Sequence, residues 1–165
     1  MTPTLITPPA SKPVTLADAK DHLRVDHDDE DAVISALLDA AVSHLDGWTG
    51  VLGRAIMPQT WRVSAPAGDV VLPMPDVTAA SVDYGDGPVF LDVTATAAGL
   101  CVTLARAGDV TFTCGMPAHL LPAAAGAVKM LLAHWYQTRE AVSAPMAEVP
   151  LAVDALVSAL RWRRI

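Results

Sequence analysis

Hydrophobic periodicity changes twice along this chain, and those changes constrain its fold more than any motif does. Beyond Asp31, the residues Ile34, Leu37, Leu38, Ala41, Leu45 and Trp48 recur at steps of three and four, the stripe of an amphipathic helix that Gly47 and Gly50 bring to an end. From Pro58 to Gly115 the step falls to two. "TWRVSA" sets Trp61, Val63 and Ala65 against Thr60, Arg62 and Ser64, and "VVL", "SVDY", "VFLDV", "CVTL" and "DVTFTC" follow at short intervals. Helical spacing returns in "LPAAAGAVKMLLAHWYQTRE", where Pro122 suits a first helical position and Val128, Leu131, Leu132 and Trp135 share one face. An α+β chain is expected: a mainly helical core over residues 14–57 and 116–160, with an antiparallel β region of about six strands inserted at 58–115.

The ends read differently. Residues 1–13 hold Pro3, Pro8, Pro9 and Pro13 without periodicity, which suggests an extended arm and not a folded element. "TLADAKDHL" starts a short helix, with Thr15 as its cap and Asp18 in the capping-box position. "GDG" at Gly85–Gly87 and "RAGD" at Arg106–Asp109 read as hairpin turns. "AVSAPMAEVP" is a linker, "LAVDALVSALRW" a last short helix, and residues 161–165 a basic tail.

At 165 residues, one domain or one domain with an insertion is expected. The formal charge of −7 argues against nucleic-acid affinity as the main task, because phosphate binding needs basic patches. The apolar share of 52% exceeds the usual range of about 45–50%, so the chain has either a core of small residues or apolar surface to hide in subunit contacts. The longest apolar stretch, near Leu120–Tyr136, is broken by Pro122, Gly126, Lys129 and His134, too soon for a membrane span. "MTPTLITPPASKP" lacks the basic-then-apolar order of a signal peptide, and two cysteines make no disulfide framework, so synthesis in the cytoplasm is the default expectation.

Candidate chemistry starts with the cluster Asp26, His27, Asp28, Asp29, Glu30 and Asp31. A calcium loop counted from Asp26 would need Gly and Glu where Asp31 and Leu37 stand. His22 and His27 lie five apart across an expected helix break. Carboxylates at a helix start, facing its free N–H groups, are the better account. Cys101, Cys114 and His119 could supply a zinc site. Strand parity opposes this, because Cys101 lies opposite the apolar face of Leu100, Val102 and Leu104, whereas Cys114 shares the apolar face of Val110 and Phe112. Ser43, His44 and Asp46 diverge on a helix and form no triad, and His134 reads as a core histidine. No catalytic residue, metal or cofactor is expected. A small metal-dependent enzyme using Asp26–Asp31 or Cys101, Cys114 and His119 is the alternative. The tail Arg161, Trp162, Arg163, Arg164 and Ile165 suits either a helix C-terminus or a docking peptide, since Arg and Trp dominate binding hot spots.

The order of segments adds a resemblance. "ITPPASKPVTLADAKDHLRVDHDDEDAVISALLDAAVSHLDGWTG" followed by "LGRAIMPQTW" resembles the opening of the head–tail connector, or adaptor, proteins of long-tailed bacteriophages and of phage-derived particles such as gene transfer agents. "HWYQTREAV" and "VPLAVDALVSALRWRRI" resemble that family's closing helices. The resemblance covers roughly residues 5–62 and 117–165. It implies a non-catalytic virion protein of the neck, made in the bacterial cytoplasm. Such proteins form a ring, usually a dodecamer, under the portal protein and extend the DNA channel toward the tail. Copies of itself, the portal, a tail completion or stopper protein, and DNA passing without sequence-specific binding are the implied partners; no membrane is. Carried onto this chain, Arg161–Ile165 would dock on the portal. Val128, Leu131, Leu132 and Trp135 would serve the core and the contact between subunits. A tail-side stopper or tail terminator is a further alternative.

Overall fold

The computed structural model describes residues 1–138 and 151–162. In chain order the elements are β1 (Thr4–Thr7), α1 (Leu16–Leu23), α2 (Asp31–Leu45), β2 (Gln59–Ala65), β3 (Gly68–Val71), β4 (Val77–Asp83), β5 (Pro88–Leu91), β6 (Thr94–Thr96), β7 (Gly99–Leu104), β8 (Gly108–Cys114), α3 (Leu121–Gln137) and α4 (Leu151–Leu160). The expected linker at 141–150 lies outside the described residues.

Local chemistry sets the helix boundaries. Thr15 caps α1 through a full capping box: its Oγ1 accepts the Asp18 N–H at 3.1 Å, and the Asp18 carboxylate accepts the Thr15 N–H at 3.3 Å. The acidic cluster does lead into α2, but no side chain caps that helix. Lys20 of α1 reaches across instead, with Nζ 2.6 Å from Asp28 and 2.7 Å from Asp31. The helix stops at Leu45, before Trp48, because Asp46 turns extended and Gly47 takes φ 78°.

The β region builds two antiparallel sheets, one of five strands in the order β1-β2-β8-β4-β5 and one of three in the order β3-β7-β6. The described residues therefore hold about as much strand as helix, so the α+β class stands while the mainly helical balance expected of the core with its insertion does not. Two causes stand out. Part of the expected arm pairs with β2 as β1, and the strand in "VFLDV" ends at Leu91, after which a separate short strand, β6, joins the other sheet. "GDG" closes the β4–β5 hairpin, and Asp83 Oδ1 accepts the N–H groups of Gly85 and Gly87. "RAGD" closes no hairpin, since β7 and β8 belong to different sheets. Both strands carry buried residues into one shared core, so the turn takes the chain from one layer to the other.

The apolar interior divides in two. One cluster lies among the helices, with Ile34, Leu38 and Leu45 of α2, Val128, Leu131 and Leu132 of α3, and Val153, Val157 and Leu160 of α4. The other lies between the sheets and includes Trp61, Val63, Val70, Val82, Val102, Val110 and Phe112. Polar bonds join the two bodies. Arg54 donates to Asp76 in the β3–β4 loop and, through Nη1 at 3.1 Å, to the Leu160 carbonyl at the end of α4. Gln59 of β2 donates through Nε2 to both carboxylate oxygens of Asp46 at the end of α2, at 3.1 and 2.9 Å.

Candidate docking surface

The basic tail is rooted before it leaves the body. Beyond α4, Arg161 donates its backbone N–H to the Val157 carbonyl and its Nε to the Val51 carbonyl, both at 2.8 Å. Trp162 donates its N–H to the Leu52 carbonyl, also at 2.8 Å. These acceptors lie in the turn after α2, so the segment expected to dock on a partner starts from a fixed place. Trp162 is 38% exposed. It lines a shallow surface cleft with Met1, Trp48, Val71, Leu72 and Pro73. Arg163, Arg164 and Ile165, the rest of the expected docking set, lie outside the described residues.

The residues expected to serve the core and the subunit contact divide within the single chain. Val128, Leu131 and Leu132 are buried in the chain's own helical core, at 0%, 1% and 0% exposure. α3 packs against α1, α2 and α4 together, which uses up that face. Trp135 remains half-buried and meets the His44 ring edge-on, with centroids 5.9 Å apart.

The chemical candidates scatter. Lys20 bridges Asp28 and Asp31, and its hydrogen bond holds the Asp28 carboxyl below the ordinary value. Cys101 stands half-buried on β7 of the three-stranded sheet and Cys114 is buried on β8 of the other. Burial, then the charges of Asp76 and Asp46, push the Cys114 thiol up to about 12, so it stays protonated at neutral pH. His119 is exposed on the segment before α3. Among the described residues no group of three His, Cys, Asp or Glu could hold a metal ion.

Asp46 has a structural task. Its Oδ1 accepts the Ile56 N–H at 2.6 Å, and both oxygens accept from Gln59 Nε2. Burial raises its pKa above 3.8, outweighing the hydrogen bonds from Ile56, Gln59 and Gly47. Because the folded value is raised, folding favours the protonated acid. Its stabilising contribution is thus fully present below the unfolded value and is lost as pH rises through the folded one. A carboxyl-carbon NMR titration should show Asp46 inflecting above 3.8; an inflection at or below it would contradict this assignment.

Two features escape sequence reasoning. A groove of about 430 Å³ runs between the arm and α2, lined by Leu5, Pro8, Pro9, Val42, Asp46 and Trp61. The Trp61 Nε1–H is buried there without a hydrogen-bond partner among the described residues. The second is the exposed apolar pair Val89 and Phe90 on β5. The run of arm prolines was the only signal for the first, and "VF" beside a hairpin turn for the second.

Comparison with known proteins fits the arrangement. Residues 13–70 match the model of the phage gp6-like head–tail connector protein family. A chain in the virion of the native gene transfer agent particle shares 24% identity and a TM-score of 0.69, over 100% of this chain and 97% of that one. A chain in the neck of the empty gene transfer agent particle, computed with C6 symmetry, shares 23% identity and a TM-score of 0.68 over the same proportions. Among curated proteins, none matches. The strand region that the sequence resemblance passed over is therefore part of the shared fold. The likeness to phage head–tail connector proteins is thereby upheld by sequence over residues 13–70, and along its whole length the chain shares the fold of chains in gene transfer agent particles.

Proposed function

We propose that the protein is a structural head–tail connector that forms a ring under the portal, joins capsid to tail and extends the DNA channel. The observation that carries this is a coincidence: the connector-family match and the full-length fold match to virion and neck chains fall on the same molecule. The C6 symmetry of that neck supports a ring, and twelve copies is the stoichiometry the family resemblance implies. The role is non-enzymatic. Lys20 pairs with Asp28 and Asp31 of the acidic cluster, and Cys114 is a protonated, buried thiol. The charge of −7 suits a conduit, since a basic lumen would hold DNA by its phosphates.

Portal docking falls to the tail, with Arg161 and Trp162 fixing where it departs. Removing residues 161–165 entirely would also delete the bonds to Val51 and Leu52, each worth about 1 kcal/mol to the fold. Deleting 163–165, with Trp162→Ala as a second variant, separates docking from folding. Both should lose capture by immobilised portal while thermal unfolding stays near that of the parent chain. Unchanged portal affinity would overturn the docking assignment, and retention on tail components alone would reassign the protein to the tail side of the neck.

A further inference from the structure

The five-stranded sheet ends in two edge strands that differ in charge and match in pattern. β5 exposes Val89 at 50% and Phe90 at 82%, and β1 exposes Leu5 at 41% and Ile6 at 43%. Long apolar edges invite strand pairing, and soluble proteins usually blunt them with Lys, Pro or inward charges. Here both edges are only four residues long, Pro88 opens β5 and Pro3 and Pro8 flank β1, yet each still exposes an apolar pair.

The two edges are related. Four antiparallel steps separate β1 from β5, so the two strands run in the same direction. Cross-strand rows span the whole sheet. One runs Leu5, Trp61, Phe112, Ala80, Leu91 on the inner face, and the next runs Thr4, Arg62, Thr111, Ser81, Phe90 on the outer face. A copy displaced sideways would set its β1 beside β5 in parallel, with each row running on into the next subunit.

Charge favours the same arrangement. Between Arg62 and Arg106 the sequence has no Lys or Arg, and the β5 edge is flanked by Asp83, Asp86 and Asp92. The β1 edge has a different character: residues 1–17 carry no carboxylate, Lys12 is already paired with Asp39, and exposed Arg62, the partner of Thr4, is the cation beside the strand. A symmetric β5-to-β5 contact would press two acidic hairpins together, whereas a head-to-tail contact pairs unlike surfaces.

We propose that β5 of one subunit docks against β1 of a second copy of the chain, head to tail, so that repetition closes the ring. This rests on the ring reading above and names its contact. Phe90→Asp, which disturbs no internal packing, should abolish the ring while leaving the unfolding temperature of the subunit unchanged. The decisive measurement uses Thr4→Cys and Phe90→Cys together, in a Cys101→Ser background, within assembled particles. Mild oxidation should give a ladder of covalent multimers from the double variant and none from either single variant. Necks that contain the protein but stay uncrosslinked, or a covalent dimer from Phe90→Cys alone, would overturn the edge contact and leave the connector reading standing. Necks complete without the protein would overturn both.

Discussion

Arg54→Ala is expected to lower the unfolding free energy by about 3–5 kcal/mol, the usual result of removing one partner of a buried ion pair. The Arg54 side chain is 11% exposed and that of Asp76 17%. Nε and Nη2 both donate to the same Asp76 oxygen, Nε at 3.0 Å, while Nη1 takes the Leu160 carbonyl. Alanine would strand a carboxylate in a nearly dry place and free a carbonyl at the end of α4, where a cation is also favoured by the helix dipole. Urea unfolding measures the effect, through a lower midpoint at unchanged slope. The double variant Arg54→Met with Asp76→Asn should recover much of the loss, because it leaves no charge stranded and Asn tolerates the left-handed backbone of Asp76, φ 58°. A loss below about 1 kcal/mol in the single variant would mean that water reaches the pair.

Gly50→Ala should be the most damaging small substitution. A Cβ there would lie 2.1 Å from the Asp46 carbonyl oxygen and 2.5 Å from that of Leu45, and both are backbone atoms at the end of α2. Neither can swing aside, so the turn itself must move. Overpacking of this kind costs about 1–3 kcal/mol, and an obstacle made of backbone puts the effect near the top of that range. The consequence reaches past stability. Val51 and Leu52, next in the chain, supply the carbonyls that root the tail. Hydrogen exchange at the Trp162 amide should therefore speed up more than exchange in the strands. Equal protection in both proteins would show that the tail does not depend on this turn.

What the sequence revealed follows the range of each interaction. The α2 stripe and the alternating strands were legible because burial imposes their period directly. The end of α2 was not. Trp48 continues the helical spacing, but the chain has already turned so that Asp46 can collect the Ile56 N–H and Gln59, ten and thirteen residues on. The arm prolines argued against a strand, yet Pro3 and Pro8 only flank Thr4–Thr7, and an edge strand tolerates that. "RAGD" has good turn chemistry, but turn residues say nothing about which sheet each flanking strand joins. The apolar residues of α3 suited a core or a subunit contact equally; only packing against three other helices shows that Val128, Leu131 and Leu132 serve the first. At the tail, Arg and Trp were visible as types, while their anchorage at Val51 and Leu52 depends on groups more than a hundred residues away.

The split interior sets how each subunit carries strain. Within either half, interlocked side chains resist sliding in every direction. At the seam, Arg54, bonded to Asp76 and to the Leu160 carbonyl, and Asp46, bonded to Gln59, tie the halves at a few points, and such bonds weaken steeply as they bend from linearity. A sideways push between the halves therefore strains a handful of directional bonds, whereas one within either half meets packed side chains on every side.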